Sequence, residues 1–187
     1  MFFDEYSKEL NETMEEIGRE DIQKLMDMIW EAKENGKHVF VLGNGGSAAA
    51  ASHWVCDFGK GVNIDNSKRL KIMAPSDHSS IFTAYGNDCT YNSTMVEQIK
   101  NFLEPEDLVI SLSVSGNSGN LVAAHEYAKK AGAKTVAIVG DYDGKLIELS
   151  DFPIVIKSKN YGVVEDLHII LEHAISQAVR RENEKLA

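Results

Sequence analysis

A chain of 187 residues with 43% hydrophobic and 26% charged side chains has the profile of a folded globular domain, large enough to bury a core without disulfides or a structural metal. Its net charge of -10, without a basic stripe, argues against nucleic-acid binding, although an acidic chain can still hold an anion on backbone amides and helix N-termini. No apolar run approaches the ~20 residues a membrane-spanning helix needs; Met1–Leu10 carries Asp4, Glu5, Lys8 and Glu9 and does not read as a signal peptide; and Cys56 and Cys89, without paired spacing, read as free thiols in a reducing cytosol.

In chain order, roughly the first 35 residues read as helix, with Leu25, Met28, Ile29 and Ala32 at helical spacing and Asn35-Gly36 as the stop. Upstream, Phe2, Phe3, Tyr6, Leu10, Met14 and Ile17 form a second, aromatic-rich stripe that reads as packing surface, with another subunit as a candidate partner. Short apolar runs then alternate with helical stretches. Val39–Leu42 is a continuous apolar run of the kind buried on both faces of a sheet; Leu70–Ala74, Leu108–Leu112, Thr135–Val139 and Pro153–Ile156 follow as strands. Helices are predicted over Ser47–Lys60, Ser79–Asn87, Asn92–Leu103, Gly119–Ala131 and Gly144–Leu149, and a long one over Gly162–Arg181. This alternation predicts an α/β fold, a parallel sheet with helices on both faces. Ligands of such folds sit beyond the carboxyl ends of the strands.

Two loops occupy such places. Gly43-Asn44-Gly45-Gly46-Ser47 follows the first strand and precedes an alanine-rich helix. Its glycines allow positive φ and close approach of a ligand to the backbone, and Ser47 sits where an N-cap hydroxyl would sit. A tight strand-to-helix turn alone would explain the same residues. The pattern is neither the dinucleotide G-x-G-x-x-G nor a Walker loop. The second loop, Ser111 to Asn120, sets Ser113, Ser115 and Ser118 around Gly116 at the start of a helix. Several short donors at a helix N-terminus suit a phosphate. One such loop is weak evidence, because these residues are common in turns; two of them, each between a strand and a helix, point to a phosphorylated ligand.

Gly43-Asn44-Gly45-Gly46-Ser47, His53 at its spacing from that motif, Gly86-Asn87-Asp88 and Ser113-Val114-Ser115-Gly116-Asn117-Ser118 together resemble the sugar isomerase (SIS) domain family, on its phosphoheptose isomerase branch. The resemblance runs from the N-terminal helices to Glu165-Asp166-Leu167-His168 and His173. It implies a three-layer αβα sandwich with a five-stranded parallel sheet, flavodoxin-like, formed by residues 1–187 as one SIS domain whose helices over 1–36 serve oligomer packing. It further implies a cytoplasmic homotetramer with sites at subunit interfaces, a sugar-phosphate substrate and no nucleotide cofactor. The reaction it implies converts sedoheptulose 7-phosphate into D-glycero-D-manno-heptose 7-phosphate. By position, Ser47, Ser113, Ser115 and Ser118 would bind phosphate, and Asn44, Asp77 and Glu165 would contact the substrate.

Ketose–aldose isomerisation moves a proton between adjacent carbons through an enediol and needs a base at carbon with an acid or electrophile at oxygen. The resemblance implies Asp57 and His173 as the acid/base pair and His53, Asp57, Glu165 and His173 as ligands of a zinc ion. His53 and Asp57, four apart, share a helix face. Glu165 and His173 are eight apart, so ~12 Å of helix rise separates two groups that would have to reach one point. His168 stays open as a further ligand, a ligand's partner or a surface histidine, and Glu172 reads as a solvated or interface charge. The chain departs from the family with Asp57 for Glu, Glu165 for Gln, Gly61 where an Arg is usual, Val114 for Thr, and a Lys159–Val163 turn without arginine. Two other readings stay open: a non-catalytic phosphosugar-binding or regulatory protein on this fold, and an isomerase of another sugar phosphate.

Overall fold

The computed structural model describes residues 1–65 and 67–186. Helices α1 (Phe2–Glu16) and α2 (Arg19–Glu34) open the chain. Asn35-Gly36 stops α2 as expected: Gly36 takes φ 64°, its N–H donates to the Lys33 carbonyl (3.2 Å), and the Lys37 N–H donates to the Ala32 carbonyl (2.8 Å). This paired closure satisfies carbonyls that a helix end otherwise leaves open.

Five strands follow, β1 (His38–Leu42), β2 (Lys71–Met73), β3 (Leu108–Ser113), β4 (Lys134–Gly140) and β5 (Phe152–Ile156). Between and after them lie α3 (Gly46–Cys56), α4 (Ser79–Asp88), α5 (Ser93–Ile99), α6 (Gly119–Lys130), α7 (Lys145–Leu149) and α8 (Tyr161–Leu186). All four strand pairings are parallel, in the order β2-β1-β3-β4-β5. The predicted α/β fold, a five-stranded parallel sheet between helix layers, is the one observed.

Side chains alternate between the two faces, as the pleat requires. Val39 and Val41, Ile110 and Leu112, and Val136 and Ile138 pack with residues of α2, α3 and α8. Phe40 and Leu42, Val109, and Ala137 and Val139 pack with α5, α6 and α7 on the other side. Of the N-terminal stripe, Tyr6, Leu10 and Met14 lie against the first core and Ile17 is buried in it, whereas Phe2 and Phe3 are 76% and 69% exposed. Tyr6 donates to Asp166 at 2.7 Å and so ties α1 to the start of α8.

Boundaries differ where tertiary contacts set them. The predicted helix over Ser47–Lys60 becomes regular α3 followed by a wide π-turn at Asp57–Gly61, a local widening often found at functional sites. The helix expected over Asn92–Leu103 shortens to Ser93–Ile99, and the last helix runs on to Leu186. Among the described residues, no helix is long and apolar enough to cross a membrane.

Candidate active site

The strand order reverses between β1 and β3, and loops there converge beyond the carboxyl ends of the strands. Leu42 pairs with Ser111, so the loop after β1 and the loop after β3 emerge side by side. A Cβ on Gly43 would run into the Ser47 carbonyl, and Gly45 takes φ 56°; both positions need glycine for the turn. The N-cap of α3 is therefore Gly45, and Ser47 lies inside the first turn, not at the cap where the sequence reading puts it.

In the second loop Gly116 takes φ 63°. Its N–H donates to Ser113 Oγ (3.1 Å), and the Asn117 N–H donates to Ser115 Oγ (3.2 Å). Ser118 is the N-cap of α6 yet makes no side-chain cap bond, and α3 has none either. Two helix N-termini without side-chain caps thus meet one cavity of about 100 Å³, whose walls include Asn44, Ser47, Ser113, Ser115, Ser118 and Glu165. No lysine or arginine is among its lining residues. Main-chain amides, serine hydroxyls and the helix dipoles provide for an anion there.

Neighbouring contacts hold this cavity in shape. Asn44 and Asn120 exchange amide hydrogen bonds at 2.9 Å in each direction, and Tyr91 donates to Asn44 Oδ1 at 2.7 Å. Glu165 reaches from near the start of α8 to lie over Gly46, where any Cβ would collide with its carboxylate. Asp77 sits in the turn after β2 and accepts a hydrogen bond from Ser52 of α3, outside the cavity lining.

Farther along the same two helices is a second cluster. His53 Nε2 and His173 Nε2 face each other at 3.0 Å with their rings crossed at 83°. Asp57 Oδ2 lies 3.8 Å from the first and 4.0 Å from the second. Glu172 Oε2 lies 3.8 Å and 3.6 Å from them. Glu172 is fully buried, and neither of its oxygens has a hydrogen-bond partner. Burial, reinforced by the charge of Asp57, pushes its carboxyl up to about 7. Two facing imidazole nitrogens and a buried, unpartnered carboxylate each need a proton or a cation between them. The donor types suit a divalent ion, whose arms of ~2.0–2.2 Å at tetrahedral angles span edges of roughly 3.3–3.6 Å; the separations of 3.0–4.0 Å bracket that range.

The structure thus places His53, Asp57 and His173 together, and their fourth neighbour is Glu172. Glu165, named with them from the resemblance, is instead at the anion cavity, because two turns of α8 separate it from His173. Glu172, read as a solvated or interface charge, is in the interior. Its signal was present in the sequence: His168, Glu172 and Ser176 recur every four residues inside the buried stripe Val164, Leu167, Leu171, Ile175 and Val179. His168 is a core residue; its ring bonds the Ile138 carbonyl at 3.1 Å, and burial lowers its pKa to about 4. Asn120, Tyr91 and Tyr161 also border the cavity or its asparagine pair. They are partners across the fold that no local spacing reveals.

The SIS domain model matches residues 2–140. Over 163 residues the chain is 32% identical to a phosphoheptose isomerase of Clostridium acetobutylicum, covering 87% of this chain and 83% of that one. It is 33% identical to one of Aliarcobacter butzleri, covering 89% and 88%. In fold it superposes on the structure of a phosphoheptose isomerase from Francisella tularensis with a TM-score of 0.86 at 22% identity, covering 96% of this chain and 95% of that one.

Proposed function

This chain belongs to the SIS domain family, and on that footing we propose that it converts sedoheptulose 7-phosphate into D-glycero-D-manno-heptose 7-phosphate through an enediol. It is an aldose–ketose isomerase of the phosphoheptose isomerase type. The observation that carries the reading is that α3 and α8 each begin at the anion cavity and lead to the His/carboxylate cluster, about two turns on along α3 and about three along α8. From Ser47 to His53 is about 9 Å of rise at ~1.5 Å per residue. A seven-carbon sugar gripped by its terminal phosphate spans a comparable length before its first two carbons.

In this reading Ser47, Ser113, Ser115 and Ser118 hold the phosphate, and Asn44, Asp77 and Glu165 accept or donate hydrogen bonds at sugar hydroxyls. Asp57 and His173 are the proton-transfer pair. Their nearest atoms, 4.0 Å apart, suit the two adjacent positions between which the proton must move. Asp57, shorter than the Glu of the family, takes its place at the π-turn, where the backbone path differs from that of a regular helix. A divalent ion such as zinc, held by His53, Asp57 and His173, would supply positive charge to the oxygen that becomes anionic along the way.

The proposal extends to a single SIS domain over residues 1–187, acting as a cytoplasmic homotetramer packed through residues 1–36. Phe2 and Phe3, exposed on α1, support the packing, and the free thiols Cys56 and Cys89 suit a reducing compartment. The test is incubation with sedoheptulose 7-phosphate in deuterated water, with and without zinc. Aldose product carrying deuterium at C2 is expected; neither aldose nor deuterium in either condition overturns the reading.

A further inference from the structure

Asp57 reaches the histidine pair from the π-turn that follows α3, not from regular helix. The Val62 N–H donates to the Asp57 carbonyl at 2.9 Å, five residues back instead of four. Such a turn is rare, and where it ends the backbone carbonyls lose their helical partners. Two of those carbonyls are taken up by the far part of α8. The Arg180 guanidinium donates to the Gly61 carbonyl and the Asn183 amide donates to the Val62 carbonyl, each at 2.8 Å. Asn183 is only 2% exposed, a buried amide on a helix whose neighbouring inward positions are apolar. Arg180 is steadied by Glu184, to which it also donates at 2.9 Å. Ahead of Asp57 the same two helices are joined again: the Trp54 indole N–H donates to the His168 carbonyl at 3.1 Å, and Trp54 stacks on Phe58, a fully buried residue of the π-turn. Gly61 faces the carboxylate, since a Cβ there would lie 3.8 Å from Asp57 Cγ.

We propose that Arg180 and Asn183 are positioning residues of the isomerase: they hold the π-turn in the path that sets the Asp57 carboxylate against His173. The two residues stand seven and ten places after His173 on α8, ~10 Å and ~15 Å farther along the helix axis, so they act through the turn and not on the substrate. His173 and the two clamping side chains share one helix. The backbone that carries one member of the proton-transfer pair is therefore fastened to the element that carries the other. Loss of the Asn183 amide would leave the buried Val62 carbonyl without a donor, and the turn would relax toward ordinary helix, which shortens the bond at the Asp57 carbonyl by one residue. Successive helix positions differ by ~100°, so a change of one place in that pattern re-aims a side chain as short as aspartate. A displacement of ~1 Å is enough to disturb the alignment that proton transfer needs. The catalytic consequence rests on the isomerase reading; the clamp on the turn does not.

The test uses the full chain as wild type, Asn183→Leu and Arg180→Met, each with and without Asp57→Asn. Arg180 is about half exposed, so its variant folds even where loss of the buried amide does not. With sedoheptulose 7-phosphate, kcat should fall ~10–100-fold in either clamp variant, the size expected of a ~1 Å misplacement. KM should barely move, because the phosphate is gripped at the opposite end of both helices. Once Asp57→Asn has removed the carboxylate, the clamp substitutions should lower kcat no further, since what they position is gone. Wild-type kcat in both variants, or the same fold-loss with and without Asp57, overturns the proposal. A second readout needs no turnover: the ring Cε1–H signals of the six histidines in NMR spectra. Those of His53 and His173 should move in Asn183→Leu and Arg180→Met in the sense set by Asp57→Asn, while His125, on the other face of the sheet, stays in place. Movement of all the histidine signals alike marks general loosening and overturns the clamp. Shifts confined to His53 and His173 in a protein whose wild type turns over no sugar phosphate remove the isomerase reading and keep the clamp; turnover with those two signals unmoved in the variants does the reverse.

Discussion

Ser118 is of the residue type that caps helices, and it stands at the cap of α6 without making the cap bond. A capping serine normally contributes about 1 kcal/mol. Here Ser118→Ala should leave the melting temperature unchanged and raise KM for the sugar phosphate ~10-fold or more, since a hydrogen bond to a charged group is worth ~1.5–3 kcal/mol. Thermal melts and steady-state kinetics on one preparation check both halves. Asp57 asks a different question. Asp57→Asn keeps the volume and removes the base, so kcat should fall by ~10²–10⁴; an unchanged kcat would take Asp57 out of the proton-transfer pair. Ser118 was legible as a candidate because serine and glycine at a turn have local chemistry that the sequence displays, whereas Asp57 was named through the family resemblance and its spacing of four from His53. Glu172 was misread because a glutamate on a helix is usually solvated, and only its membership of an apolar stripe spoke against that.

At the scale of elements, α3 and α8 do the positioning. Both start at the anion cavity and run past each other to the histidine pair, so a shift in either start displaces both sites. The start of α3 depends on Gly43, whose added Cβ would meet backbone, not a flexible side chain. Gly43→Ala should therefore destabilise the protein by ~1–3 kcal/mol, the usual range for overpacking, or ~2–4 °C of melting temperature per kcal/mol in a chain of this size. It should also raise KM by tilting Ser47. Helix ends marked by Asn35-Gly36 were visible in the sequence, because a glycine at positive φ is a local requirement. The π-turn at Asp57–Gly61 and the short α5 were not, because packing against neighbouring elements fixes where those helices end.

For the whole molecule, two buried histidines on opposite faces of the sheet link stability to pH. His125 of α6 sits between Ser111 Oγ (2.8 Å) and Ser150 Oγ (3.2 Å); His168 of α8 bonds the Ile138 carbonyl. Burial lowers both from 6.5 to about 4. Between those values the unfolded chain binds more protons than the folded one, so stability rises with pH. Their contribution is fully present above pH ~6.5 and is lost as pH falls towards 4, by ~3 kcal/mol per histidine. Melting temperature should fall across that window, and His125→Asn should flatten the fall; an equally steep curve in the variant would assign the acid sensitivity elsewhere.

Hydrophobic period, turn residues and loop chemistry act over a few residues, so the amino-acid order alone determined the alternating strands and helices, the parallel sheet and the two serine–glycine loops at its edge. Which carboxylate meets the histidines was decided only by the tertiary structure. Glu165 and Glu172 are on the same helix two turns apart, and the choice between them depends on where α8 crosses α3, which is set by how the two helices pack together on one face of the sheet rather than by any neighbouring residue.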